Sequence, residues 1–485
     1  MEVSIKTASP IPSAAAASPA AVGAAPAAGV AAGIASVAAS GSAVAPAAGS
    51  ATARPAKRRA KLPRIPSGAG GFALTAALFV AGLIVCFTTG VPVQSVVDNF
   101  SFNVLVIVIS MDLFTNMLAK TGAMEAAALK LAGLSSGRQT ALLVMLAAMM
   151  YLISAFLNNI TAILVVLPCI FVLLKTITPD RRYLAVFFAV LLAMSNTGGA
   201  SSAIGDLPAV LIMSTGVVSF SEYTFTAFPL MAITSIVIVG VWALVLRARR
   251  VPQDRDASLF AIGVLRSQYR FAEVDRKTAI PLAVILATMF VCWIVVPQSV
   301  VPPEVIALVG CLVATVAYRL AGNKVSQVVD LGSVLTISGF LFLAAAVSAT
   351  GVLEAVVAAL QAVAPNQQVF IALVLLVASL IAGLVGAGPA AAACLPIVVD
   401  LATTTFQASS TFVMVAYGAA ICAGSSLFLF SATAGYVLSG KVAAADLTDS
   451  NEKRFTWSVG TYLAYGLVNY LIQMSIVMAV VLIFF

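Results

Sequence analysis

The sequence predicts an all-α polytopic membrane protein made of two inverted-topology repeats, each holding a re-entrant hairpin and a broken transmembrane helix. Three observations lead there: an apolar composition, positive charge gathered beside apolar blocks, and three pairs of matching segments at near-constant spacing. Of the 485 residues, 61% are hydrophobic and 9% charged, against about 25% charge in soluble domains. Apolar blocks near the roughly 20 residues that cross a bilayer recur from Phe72 to Phe485, enough for about nine to eleven segments.

The net charge of +8 does not point to nucleic acid, because of where it sits. It gathers in RPAKRRAKLPR (54–64) and between Arg247 and Lys277. Both stretches flank apolar segments, where excess Lys and Arg mark the cytoplasmic side. Residues 1–66 form an Ala/Pro-rich arm ending in that first basic cluster. The arm has too little bulky apolar surface to offset ordering entropy and is expected to be disordered. Its basic residues follow the small-residue stretch rather than precede it, so it is not patterned as a signal peptide. The expected place is a bacterial inner membrane, with the N-terminus cytoplasmic.

With the arm inside, the segment from Phe72 to about Val91 crosses outward and the one from Phe102 to Leu118 returns. Two apolar pieces, 139–155 and 160–174, meet at Asn158-Asn159 and have positive charge on both flanks. They enter and leave by the same face, as a re-entrant hairpin or as two crossings. The next segment, from Tyr183 to Val218, is interrupted by SNTGGASSAIGDLPA, and 225–246 comes back to RARR (247–250). The first transmembrane half is thus 67–246, with repeat one at about 104–218. Residues 247–277 read as a cytoplasmic linker. Residues 278–485 form the second half, with repeat two at about 332–440.

The repeat is read directly from the chain. LAKTGAMEAAALKL (118–131) lies over VSATGVLEAVVAAL (347–360) at an offset of 229, and LISAFLNNITAILVVLPCI (152–170) lies over LIAGLVGAGPAAAACLPIV (380–398) at 228. The interruption lies over CAGSSLFLFSATAGYVLS (422–439) at 227. Repeat one begins on an inward segment and repeat two just after the cytoplasmic Lys324, so the copies are inverted. No Lys or Arg occurs between Lys324 and Lys441, as expected if the loops of repeat two face outward. Inverted repeats with interrupted helices at matching places are the sequence mark of a transporter with its site between the halves.

A broken helix in lipid frees backbone N–H and C=O groups that must find partners. The candidate ion or substrate ligands of repeat one are therefore Asn158, Asn159 and Thr161 at the hairpin, with Ser195, Asn196, Thr197, Gly198, Gly199, Ser201, Ser202 and Asp206 at the break. Those of repeat two are Gly386, Gly388 and Pro389, then Gly424, Ser425, Ser426 and Thr433. Small residues at helix contacts are the alternative reading of the glycines. A carboxylate at membrane depth is a functional candidate by default. Asp206 is read as a proton or cation carboxylate, with a cap on the following half-helix as the alternative. Asp112, inside VIVISMDLFTNML, is the second such carboxylate, with a structural role the alternative. Glu125 and Glu354 occupy equivalent positions near segment ends. The six cysteines sit in apolar runs without a CxxC pair, as small buried hydrophobes. With no histidine and no Walker-type phosphate loop, imidazole relays and ATP drive are excluded.

On these residues the sequence resembles the ion transporter superfamily, which includes arsenite-efflux permeases, NhaD-type antiporters and citrate-transporter-like permeases. FLNNITAILVVLPCI looks like its first hairpin, GGASSAIGDLPA like its glycine-rich break, and CAGSSLFLFSATAG like the matching second break. The resemblance covers about 100–485. It implies a homodimer in the bilayer, and Asn159 at a coupling-ion site beside Asn158 and Thr161. The first hairpin tip reads Asn158-Asn159-Ile160 and the second Gly386-Ala387-Gly388, where divalent anion symporters have Ser-Asn-Thr.

The reading reached is an ion-coupled secondary transporter of a small inorganic or organic anion, working by alternating access. It needs no cofactor beyond Na⁺ or H⁺ as coupling ion. An NhaD-type Na⁺/H⁺ antiporter is the alternative. A channel and an intramembrane aspartyl protease are remoter readings; the second lacks the first glycine of a Gly-x-Gly-Asp pattern at Ala203-Ile204-Gly205-Asp206.

Overall fold

The turn between the first two long helices of repeat one shows how the fold is built. Leu157 is extended, and Asn158 caps the next helix by accepting from Ile160 N (2.9 Å). At the matching place in repeat two, Gly386 turns the chain alone with φ +102°. A positive φ of that kind favours glycine, which has no Cβ to clash. Leu157, Asn159, Ala387 and Gly388 are all buried, so both turns are packed inside the protein, as the tips of re-entrant hairpins require.

The computed structural model describes residues 69–485 apart from 99, 136, 250–253, 269–273 and 330. The N-terminal arm and its basic cluster lie outside the described residues. The described residues form one compact unit. Among the described residues the structure is α-helical with no strand, only an isolated bridge between Thr448 and Arg454. Among the described residues eleven helical stretches are long and apolar enough to cross a membrane, and the chain is an all-α polytopic membrane protein.

Two helices precede repeat one: α1 (Ala69–Thr89) and the short α2 (Val93–Asp98). Repeat one then runs α3 (Phe102–Ala119), α4 (Ala123–Leu134), the hairpin α5 (Gln139–Phe156) and α6 (Asn159–Ile177), then α7 (Arg181–Ala200), α8 (Leu207–Ser214) and α9 (Phe220–Ala248). The stretch read as a linker carries a helix of its own, α10 (Arg255–Gln268), which buries Ser258, Ala261 and Ile262 against α6 and α4. α11 (Arg276–Val295) and α12 (Pro303–Leu320) follow. Repeat two copies repeat one helix for helix: α13 (Leu331–Ser348), α14 (Val352–Val363), the hairpin α15 (Gln367–Val385) and α16 (Ala387–Asp400), then α17 (Ser410–Ser425), α18 (Thr433–Ala445) and α19 (Val459–Phe484). α16 is shorter than α6 and ends in a π-turn, Leu401–Thr405. Glu125 and Glu354 fall on α4 and α14.

The two repeats are packed through each other. α1 lies on α13, the first helix of repeat two, whereas α12 lies on α3, the first helix of repeat one. Thr75 and Thr336 share a hydrogen bond (3.0 Å) across the first of these contacts, and Phe79 and Phe342 pack with centroids 5.2 Å apart. At the centre stand α7 and α17. Every residue of α7 from Tyr183 to Ala200 is buried, as expected of a helix apolar on all sides.

Candidate functional site

Both central helices stop inside the protein. α7 ends at Ala200 and the chain resumes as α8 at Leu207; α17 ends at Ser425 and resumes as α18 at Thr433. Six residues (201–206) fill the first break and seven (426–432) the second. In each, a serine ties the break to its own hairpin: Ser202 Oγ donates to Ala155 O, and Ser431 Oγ donates to Gly383 O. The last turns of α7 also meet the second break, through Asn196 Nδ2 donating to Ser426 Oγ (3.2 Å).

Asp206 is the N-cap of α8, its Oδ1 accepting from Leu207 N (2.9 Å). It is also a wall of a cavity of about 10 Å³, with Ala200, Pro208, Ala209, Tyr223, Ala387, Gly418, Cys422 and Ser425. That space suits an occupant the size of one water. Its walls come from both repeats, including the tip of the second hairpin. The Asn159 side chain is a hydrogen-bonding neighbour of the Asp206 carboxylate, and no Lys or Arg among the described residues pairs with Asp206. Asn159 is 3% exposed and held from two sides: Ser154 Oγ donates to its Oδ1, and Ser195 Oγ donates to its carbonyl (3.5 Å). Ser154 Oγ also reaches Ser195 O (2.7 Å). Gly199 leaves room for this pair, since a Cβ there would stand 2.5 Å from Asn159 Oδ1 and 2.9 Å from Asp206 Cβ.

Asp112 makes a separate set of bonds. Asn116 Nδ2 donates to Asp112 Oδ2 (3.2 Å), and Thr161 Oγ1 donates to Asn116 Oδ1 (3.2 Å). Asp112 is thereby joined to the first turn of α6, two residues from Asn159.

The remaining predicted residues fall into distinct places. Asn158 caps α6, and Pro389 and Gly388 are buried at the second hairpin, where a Cβ on Gly388 would stand 2.9 Å from Leu207 Cδ2. Thr197 faces away, sharing a hydrogen bond with Ser235 on α9 (2.8 Å). Ser201 Oγ caps α7 at Gly198 O (2.5 Å), and Ser425 Oγ caps α17 at Cys422 O (2.7 Å). Gly198 and Gly424 are packing twins: a Cβ on the first would strike Tyr151 O, and one on the second Ser379 O. The counterpart of Asp206 is Ala432, the N-cap of α18, with no side-chain cap. Thr433, the match of Asp206 at the sequence offset of 227, is the first helical residue one place further on, because the two N-caps are 226 residues apart, and its side chain lies outside the described residues.

Sequence reasoning missed Asn116, Ser154, Tyr223, Gly418 and Cys422. Tyr223 OH donates to Ala200 O (3.1 Å) and lies 2.5 Å from where a Cβ on Gly418 would be. Asn116, Tyr223 and Gly418 lie outside the matched segments, and Ser154 and Cys422 stand in them without being singled out as ligands. Ser154, one turn before the hairpin tip, was the most findable. Cys422 is a buried free thiol, as its apolar setting implied, and also part of the cavity wall.

A polytopic helical chain with two crossed repeats, and a carboxylate in a cavity between their broken helices, has the make-up of a secondary transporter. The sequence profile of the citrate transporter family matches residues 71–424. The chain belongs to that family. Its relatives include a 46 kDa membrane protein of Mycobacterium leprae, 26% identical over 65% of this chain and 72% of its own. An uncharacterized transporter of Mycobacterium tuberculosis is 25% identical over 62% and 69%. The magnetosome protein MamN of Magnetospirillum gryphiswaldense is 27% identical over 74% and 80%. In fold it is similar to the YdaH transporter of Alcanivorax borkumensis, with a TM-score of 0.54 and 14% identity, covering 84% of this chain and 97% of that one.

Proposed function

We propose that the protein couples transport of a small anion of the carboxylate class, citrate being the first to try, to a cation held at Asp206. The observation that carries this is Asp206 itself: a carboxylate at membrane depth, beside Asn159, lining a cavity with no basic partner. A carboxylate so placed is costly unless it holds a proton or a cation. Asp206, the Asn159 amide and the Ser425 hydroxyl supply oxygens that suit Na⁺, and the carboxyl alone suits H⁺. For the anion, repeat two offers the complement. α18 starts without a side-chain cap, and a bare helix N-terminus favours negative charge. Alternating access would then be a rocking of the two repeats about this cavity.

Na⁺/H⁺ exchange is the second reading. It is favoured by a cavity of about 10 Å³, room for one small ion. Flux in proteoliposomes under separately imposed Na⁺ and proton gradients, with a panel of anions led by citrate, distinguishes the two. Gradient-driven flux is expected to fall to background in Asp206→Asn. Full flux in that variant overturns the role of Asp206. Cation exchange without any anion dependence favours the antiporter.

A further inference from the structure

α19 packs beside the second break and the central helices and bonds their polar groups one after another. Tyr462 OH donates to Ser426 O (2.8 Å), and Gly466 lacks the Cβ that would strike Leu427 O. Asn469 accepts from Trp242 Nε1 (2.8 Å) and donates to Ala189 O (3.4 Å); Tyr470 OH shares a hydrogen bond with Ser379 (3.0 Å). Gln473 comes next on this face and is only half used. Its Oε1 accepts from Cys422 Sγ (3.4 Å), while its Nε2 is buried with no partner, in a residue 3% exposed. An unmet N–H inside a membrane span has neither water nor lipid to turn to.

The position of that unmet donor is informative. Cys422 is a wall of the Asp206 cavity, so one thiol separates Gln473 from it. A thiol is a weak donor, and its bond to Oε1 is easily exchanged. We propose that Gln473 is an anion-recognition residue of the transport site. Its Nε2 hydrogens are kept for an oxygen of the transported anion, and Cys422 is the screen that turns aside when the cavity widens. Repeat one then supplies the cation's carboxylate, and repeat two the anion's donor. This rests on the anion reading above and adds a contact to it.

The test is uptake of labelled citrate by the reconstituted full chain, with melting temperature measured in parallel. Gln473→Met keeps the volume and removes both donors. The expected result is a KM raised roughly ten- to a hundredfold, the loss of a hydrogen bond to a charged group, with Vmax and melting temperature near wild type. Gln473→Glu keeps the acceptor for Cys422 but turns a carboxylate toward the anion, and citrate uptake is expected to be lost while the protein stays folded. Wild-type KM in Gln473→Met overturns the proposal. So does a fall in melting temperature in both variants with KM unchanged, which marks a structural residue. Wild-type protein that exchanges cations but ignores citrate and the rest of the anion panel overturns the anion reading, and this role with it.

Discussion

Gly198, Gly199 and Gly424 look alike in the sequence, yet their neighbours separate them. A Cβ on Gly424 meets a backbone carbonyl that cannot move, so Gly424→Ala is expected to lose about 1–3 kcal/mol of stability, seen as a lower melting temperature. A Cβ on Gly199 meets the end of the Asn159 side chain at 2.5 Å and Asp206 Cβ at 2.9 Å. Gly199→Ala is therefore expected to lose gradient-driven flux as well as some stability, because the displaced side chains are the two at the proposed ion site. Asp206 was legible as a membrane carboxylate followed by a proline. That it caps α8 and also lines the cavity was not, since either reading alone satisfies the sequence. Asn116 and Cys422 were illegible for a plainer reason: their partners lie 45 and 51 residues away, and no local pattern encodes such distances.

Among the elements, the hairpins and breaks were legible because breaking an apolar run takes residues that stand out: two asparagines, a Gly-Ala-Gly, an Asp-Leu-Pro. α10 was not, because its charges hide a helix with few buried positions. The join between α10 and α11 rests on Asp275. Its backbone N–H donates to Thr121 O (3.1 Å), and its carboxylate accepts from the hydroxyl and N–H of Thr278. Asn323 in turn donates to Thr278 Oγ1 (2.9 Å). The Thr278 hydroxyl holds the Asp275 carboxyl below the usual carboxylate range. Asp275→Ala is expected to destabilise by about 1 kcal/mol, the usual loss of an N-cap, read as a lower melting temperature. A depressed carboxylate contributes in full above its unfolded pKa and is lost as pH falls through its folded one. The difference from wild type should therefore be constant near neutrality and shrink in acid.

At the scale of the whole molecule, the offsets of 227 to 229 residues pointed to two copies, and the placing of Lys and Arg read them as inverted. They did not show the exchange of partners, because α1 and α12 precede the repeats and match nothing. That exchange has a direct check. Cysteines in place of Thr75 and Thr336 are expected to form a disulfide on mild oxidation, and failure to cross-link would place α1 elsewhere. It also bears on how the protein is made. α1 emerges from the ribosome first, yet the surface it rests on belongs to α13, which follows some 240 residues later. At ordinary rates of synthesis that wait is on the order of tens of seconds. During it, the face of α1 that meets α13 has no repeat-two surface to pack on, and repeat one waits likewise for α12. The contact between α1 and α13 therefore forms only after the whole of repeat one has been made.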